Sequence, residues 1–271
     1  MRGAATMAAI AAVAAAVLAT GCGSGINPTA EVAKAADKTV GERGVLADYT
    51  ATVKVPTGTV SMTGSGSFDL QSHRGTVTMT VPTAQGDVDV DEIQDGQVLY
   101  MKQPGLDLPD GKTWVKIDLG KVQEQLGLSQ LIQQQQSLDP ARILDQLRTT
   151  GKVEKIGSEQ LGDVDTTHYH ASVDVRKIVA KSTSPAGRKT LMQLYATRFI
   201  PIDVWIDGDD HVRRENFTIA MRPPGQTETI TMAFKMELHD FGADVDVQPP
   251  AADDVVDVTQ TALDQIQQSG G

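Results

Sequence analysis

The chain holds a single cysteine, Cys22, in 271 residues. No disulfide can form within it, so the fold rests on its apolar core alone. Aromatic residues are scarce, with four Tyr, five Phe and two Trp. A large interior must therefore be filled mainly by Val, Leu, Ile, Ala and Met. Asn occurs only at Asn27 and Asn216. Positive charge is in deficit, 24 Lys and Arg against 35 Asp and Glu, for a net charge of −11. That balance disfavours nucleic acid and anionic lipid surfaces as partners. After the Ala-rich N-terminal segment, no apolar run approaches the ~20 residues of a membrane span. Catalytic signatures are missing as well: there is no Gly-x-Ser-x-Gly elbow, Walker loop, dinucleotide fingerprint or His-Glu-x-x-His helix. The expectation is a protein without enzymatic activity or cofactor.

What is present begins at the N-terminus. Arg2 precedes the small, apolar stretch Ala4 to Ala19, which ends in Leu18-Ala19-Thr20-Gly21-Cys22. This resembles a bacterial lipoprotein signal, with Leu18 four residues before the cysteine rather than three. Residues 1–21 are then a signal peptide, and cleavage leaves Cys22 to carry a thioether-linked diacylglycerol. Residues 22–28 form the lipidated cysteine and its tether, and 29–271 a single domain. Two acyl chains anchor stably where one does not. The expected location is the extracytoplasmic face of the cell membrane, held by lipid. Loss of Arg2 with the signal takes the net charge from −11 to −12.

Thr29 to Thr39 has helical composition, with Val32, Ala35 and Ala36 at helical spacing. From there to Met101 the period is two. Val53 and Val55, Val60 and Met62, Val77, Met79 and Val81, and Val88 and Val90 alternate with Thr, Ser, Lys or Asp. Turn signals at Pro56-Thr57-Gly58, Gln85-Gly86 and Asp95-Gly96 separate the runs. The pattern predicts an antiparallel meander with one buried and one wet face. Trp114 to Ile117 adds a strand. Residues 118–150 then take helical spacing, through Leu119, Val122 and Leu126, through Leu128, Leu131 and Ile132, and through Ile143, Leu144 and Leu147 after the cap Asp139-Pro140. Strand pattern resumes at Lys152 to Ile156 and Val164 to Val175. Arg188 to Phe199 reads as a helix. Pro201 to Ile206 and Val212 to Met221 read as a hairpin, Thr229 to Leu238 as a strand, and Val258 to Ile266 as a helix. The economical fold is α+β: one long, curved antiparallel sheet with helices gathered on one face.

Few residues suggest chemistry. His168 and His170 share a face of a strand, and with Asp163 or Asp165 they could begin a zinc site, although no third and fourth ligands can be identified. Two half-exposed histidines on the wet face is the simpler reading. Asp87, Asp89 and Asp91 lack the Gly turn and distal Glu of a calcium loop and read as a solvated edge that discourages strand pairing. Asp207-Gly208-Asp209-Asp210 is turn chemistry. Gly64-Ser65-Gly66, inside a strand pattern, suggests a bulge or bend.

Several phrases together resemble a known family: the lipobox, the Ala-rich helix and paired strands, Val98-Leu99-Tyr100-Met101 followed by Trp114-Val115-Lys116-Ile117-Asp118, the insertion opening with Asp139-Pro140, then Thr167-His168-Tyr169 and Pro201-Ile202-Asp203-Val204-Trp205-Ile206-Asp207. Their order is similar to that of the actinobacterial LppX/LprA/LprF/LprG lipoproteins and, more distantly, the LolA/LolB carriers. The resemblance implies a strongly curved sheet, a half-open β-barrel whose concave face is covered by helices. It also implies a cavity for acyl chains of a lipid or glycolipid, with a helical lid at about 118–150. The inward strand residues that would line such a cavity, rather than simply pack a core, are Met62, Val77, Met79, Val81, Met232, Phe234 and Met236. Leu126, Leu131, Ile132, Ile143, Leu144 and Leu147 are then the lining on the lid. The abundance of Met at strand positions fits, since methionine is flexible and polarisable and adapts to variable chains. A transporter or signalling partner in the membrane is a further expectation. A LolA-like module that recognises a protein partner is the alternative.

Overall fold

A computed structural model describes residues 27–126, 140, 152–180, 188, 192–222 and 227–269. Residues 1–26, with Cys22, lie outside it, as do Leu131, Ile132, Ile143, Leu144, Leu147 and the side chain of Leu126.

The twelve described strands form one sheet. Its first meander comprises β1 (Gly44–Val55), β2 (Gly58–Asp69), β3 (Arg74–Thr83), β4 (Gly86–Asp95), β5 (Val98–Lys102) and β6 (Trp114–Asp118). A second comprises β7 (Val153–Leu161), β8 (Val164–Asp174), β9 (Phe199–Asp207), β10 (Val212–Met221) and β11 (Ile230–His239). A short β12 (Val255–Asp257) finishes the sheet. The order is β12-β6-β5-β4-β3-β2-β1-β11-β10-β9-β8-β7, so the sheet is open. The meanders join where β1 pairs antiparallel with β11, Tyr49 opposite Met236. Every pairing is antiparallel except that of β12 with β6.

Four helices have described bounds: α1 (Pro28–Val40), α2 (Leu119–Leu126), α3 (Val175–Ala180) and α4 (Thr259–Ser269). The start of α1 is written locally. Asn27 Oδ1 accepts from Thr29 N at 3.1 Å, and Pro28 occupies the first helical position, where its missing N–H costs nothing. Val32, Ala35 and Ala36 are fully buried against the sheet. Thr39 fastens the other end. Its hydroxyl donates to Ala35 O at 2.8 Å and accepts from Val212 N of β10 at 2.9 Å. Tyr169 Oη of β8 donates to Glu31 at 2.5 Å.

The apolar phase of the strands lies on the helix-bearing, concave face, where α1 packs against β7, β9 and β10. Gly64 and Gly66 of β2 mark where neighbouring backbone and side chains come too close for a Cβ. A Cβ on Gly64 would lie 2.4 Å from Met79 Sδ and 2.5 Å from Thr78 O, and one on Gly66 would lie 2.6 Å from Thr76 O. Inward groups of neighbouring strands crowd together where a sheet curls, and only glycine admits so close a backbone. There is no bulge at these glycines, because β2 keeps unbroken register with β1 and β3.

Three local expectations need correction. The helix expected over Arg188 to Phe199 stops short: residues 192–194 are helical, Tyr195 bridges Met221, and Phe199 opens β9 opposite Asp174. Ladder hydrogen bonds and burial of Ile200 outweigh the helical spacing there. Val175 begins α3 rather than ending the strand. Of the three aspartates read as a solvated edge, Asp87 and Asp89 lie on the half of β4 that pairs with β3 alone, an edge as expected, whereas Asp91 pairs with Lys102 of β5 and is interior to the sheet. Asp89 and Asp91 accept from the cross-strand hydroxyls of Thr80 (2.7 Å) and Thr78 (2.9 Å).

Candidate functional site

The strand registers place Met62, Val77, Met79, Val81, Met232, Phe234 and Met236 on one face of the sheet. One row runs Val88–Val81 on β4 and β3. Another runs Met62–Ala51–Phe234–Phe217–Ile202 across β2, β1, β11, β10 and β9. A third runs Val90–Met79–Gly64–Tyr49–Met236–Glu215–Val204. The seven residues do not share one environment. Val77, Phe234 and Met236 are buried in the core with Tyr49, Ile202 and the α1 side chains. Met62, Met79, Val81 and Met232 are only half-buried, as are Val88, Val90, Met101 and Ile219.

The half-buried group lies between two helical covers. Helix α1 packs against β7, β9 and β10. At the opposite end, α2 packs on α4 and β5, and α4 packs on β6, burying Leu119, Val122 and Leu263. The intervening inner face, from β4 through β1 to β10, spans about five strand spacings, ~24 Å along the curve. It is built almost wholly from Val, Met, Ile and Phe. Phe217 and Phe234 meet with ring centroids 5.0 Å apart, and Tyr49 and Phe234 at 5.7 Å.

Three polar residues on this face were missed from sequence. Gln94 is buried, and its Nε2 donates to Gly96 O at 3.2 Å. Glu92 follows Val88 and Val90 in phase, so it projects inward opposite Val77 and Met101. Its apolar surroundings disfavour the charged form and push its pKa up to about 7. Glu215 lies between Met236 and Val204, is 1% exposed, and has no hydrogen-bond partner at Oε2. Desolvation pushes it up to about 8. The available signal was phase: both glutamates occupy positions that the alternation reserves for apolar residues. Depth of burial, which sets their ionisation, is not a property of phase.

The histidines lie on the opposite, outer face. Asp203 Oδ1 accepts from His168 Nε2 at 3.0 Å and from His170 Nδ1 at 2.9 Å. The partner carboxylate is thus the cross-strand Asp203, not Asp163 or Asp165. His168 stacks on Trp205 (4.3 Å, 11°), whose indole N–H donates to Glu159 at 2.7 Å. Among the described residues, no group of three or more His, Cys, Asp or Glu side chains is placed to hold a metal ion. At the hairpin tip, Asp207 Oδ1 accepts from the backbone N–H of Asp209 (3.0 Å) and of His211 (2.8 Å), as turn chemistry requires.

The fold defines a class, an open, strongly curved antiparallel sheet with helices on its concave face. Within that class the chain is similar to the crystal structure of the Mycobacterium tuberculosis lipoprotein LppX (TM-score 0.47, 16% identity, covering 81% of this chain and 97% of that one). It is also similar to LprF from Mycobacterium bovis (TM-score 0.46, 13% identity, covering 83% and 97%). Both belong to the group that the sequence resembles. Among curated proteins, an uncharacterized 31.2 kDa protein of Streptomyces griseus, from the rplA–rplJ intergenic region, is 28% identical over 154 residues. That alignment covers 54% of this chain and 48% of the relative, so the chain spans about half the length of the curated protein it matches. No family model matches the chain.

Proposed function

We propose that this chain is a lipid-anchored envelope protein that holds acyl chains of a lipid against its concave sheet face and carries or presents them. The observation that supports the reading is the band of half-buried, flexible apolar side chains (Met62, Met79, Val81, Met101, Ile219 and Met232) between two helical covers. A sheet serving only as scaffold buries its apolar face fully, as this one does beneath α1. Methionine tolerates many packing arrangements, which suits a surface that receives chains of varied length and unsaturation.

In this reading residues 1–21 are the export signal, Cys22 carries the diacylglyceryl anchor, and residues 29–271 form one binding domain on the extracytoplasmic face of the membrane. The lid in this reading is the segment at about 118–150, with Leu126, Leu131, Ile132, Ile143, Leu144 and Leu147, which apart from residues 118–126 and 140 lies outside the described residues. The protein acts by binding rather than catalysis.

The test is native mass spectrometry with lipid extraction of the full chain carrying Cys22→Ser, purified from an actinobacterial host. Such protein has no anchor of its own, so bound lipid must occupy the fold. A one-to-one lipid adduct is expected. A uniformly lipid-free mass, unchanged after incubation with membranes, overturns the reading.

A further inference from the structure

Within that lipid-binding reading, we propose that Glu92 is the polar anchor of the concave face. Its carboxyl group accepts a hydrogen bond from the free hydroxyl of an uncharged acylglycerol, and it excludes lipids with a phosphate headgroup.

The charge pattern of the face is the first ground. Inward positions of β1–β5, β10 and β11 include two glutamates and no Lys or Arg. Their cationic neighbours all sit on the other phase: Arg214 pairs with Glu237, Arg74 with Asp95 and Lys102 with Asp91. A phosphate brought onto this face would meet carboxylates and, among the described residues, no counter-charge, in a medium where an unpaired charge is costly.

Partner accounting is the second. Glu215 is buried, and its Oε2 has no hydrogen-bond partner. It lies within the packed core beneath α1. Glu92 stands instead beside the half-buried band, flanked by Val90, Val77 and Met101, and its own carboxyl is not completely enclosed. It can therefore be reached by a ligand lying on that band.

Capacity decides the headgroup. Gln94 is already engaged with Gly96 O. That leaves Glu92 as the inward polar side chain available to a ligand in this part of the described sheet. Its two oxygens can accept only from hydroxyls brought to that one point of the face. A sugar headgroup would bring several hydroxyls onto a face of Val and Met, each costing free energy if left without a partner. A single glycerol hydroxyl with its acyl chains running over Met79, Met62 and Met232 matches both the polar and the apolar surface.

The experiment offers the full chain carrying Cys22→Ser equimolar 1,2-dioleoylglycerol and dioleoylphosphatidylglycerol in phosphatidylcholine vesicles at pH 8, and counts adducts by native mass spectrometry. The parent should take dioleoylglycerol at least tenfold in preference. Glu92→Gln, a neutral isostere, should bring the ratio to within about threefold by admitting the phospholipid, and Glu92→Lys should reverse it. Equal uptake by the parent, a preference for the phospholipid, or an unchanged ratio in Glu92→Gln overturns this inference while leaving acyl-chain binding intact. Capture of neither lipid overturns the lipid-binding reading and this inference with it.

Discussion

Replacing Glu215 with glutamine should abolish a loss of stability that the parent suffers as pH rises from 5 to 8. The carboxyl ordinarily titrates at 4.5, and burial raises it to about 8 in the fold. Between those values the unfolded chain has released the proton and the folded chain has kept it. The folded state then binds more protons, so the free energy of unfolding falls with rising pH, by about 1.4 kcal/mol for each pH unit. The stability is intact below pH 4.5, declines through the window, and levels off above 8 after a loss of roughly 4–5 kcal/mol. Against a typical total of about 5–15 kcal/mol, that is decisive. Glutamine stays neutral and contributes no slope. Other groups do not obscure the comparison. Hydrogen bonds and cationic partners lower Glu42, Asp207, Glu237 and Asp257, whose stabilisation is lost only as pH falls below the ordinary carboxylate range. Glu92 titrates in both proteins and cancels in the difference. The assay is urea unfolding of the Cys22→Ser chain with and without Glu215→Gln, followed by tryptophan fluorescence. The gap between variant and parent should widen by about 3 kcal/mol from pH 5 to pH 7.5. Parallel stability profiles across that range would refute the argument that this carboxyl is buried without compensation.

Two other predictions follow from geometry and anchoring. Gly64→Ala should destabilise by about 1–3 kcal/mol, read as a lowered urea midpoint, because the new methyl meets Thr78 O at 2.5 Å and backbone cannot move aside cheaply. Gly58→Ala, where a Cβ meets nothing within 4 Å, should be close to neutral. Cys22→Ser should shift the protein from the membrane fraction to the soluble one in its native host, since the acidic surface gives no substitute attachment. Persistence in the membrane after a salt wash would count against the lipid anchor.

Much of this fold was legible because its signals are short-ranged. The alternation of Val77, Met79 and Val81 with Thr76, Thr78 and Thr80 fixes which side chains point inward, whatever the strand pairs with, because successive residues of a strand face opposite ways. Val32, Ala35 and Ala36 announce α1 through their helical spacing, while its Asn27-Pro28 cap, inside the segment expected to be tether, emerges only in the structure. Gly64 and Gly66 mark a close backbone approach through the absence of a side chain. The shared face of His168 and His170 follows from their spacing.

The failures have a common cause too. Phe199 pairs with Asp174, and Tyr195 bridges Met221; these long-range contacts outweigh a helical pattern that is locally sound. The carboxylate that joins the two histidines is Asp203, 33 residues beyond His170, and only the β8–β9 register reveals it. No local signal states that β1 pairs with β11, which makes one sheet of two meanders, or that β12 adds to β6 in parallel.

By itself, then, the sequence determined the alternation of faces, the helical spacing of α1 and the acidic balance, since each depends on neighbouring residues and on composition. The tertiary structure alone decided which inward residues are sealed beneath α1 and which remain half-buried on the open span. It also decided that Glu92 and Glu215 meet apolar walls rather than cations. Burial and ionisation are set by what other segments place around a side chain, and that depends on pairings between distant strands.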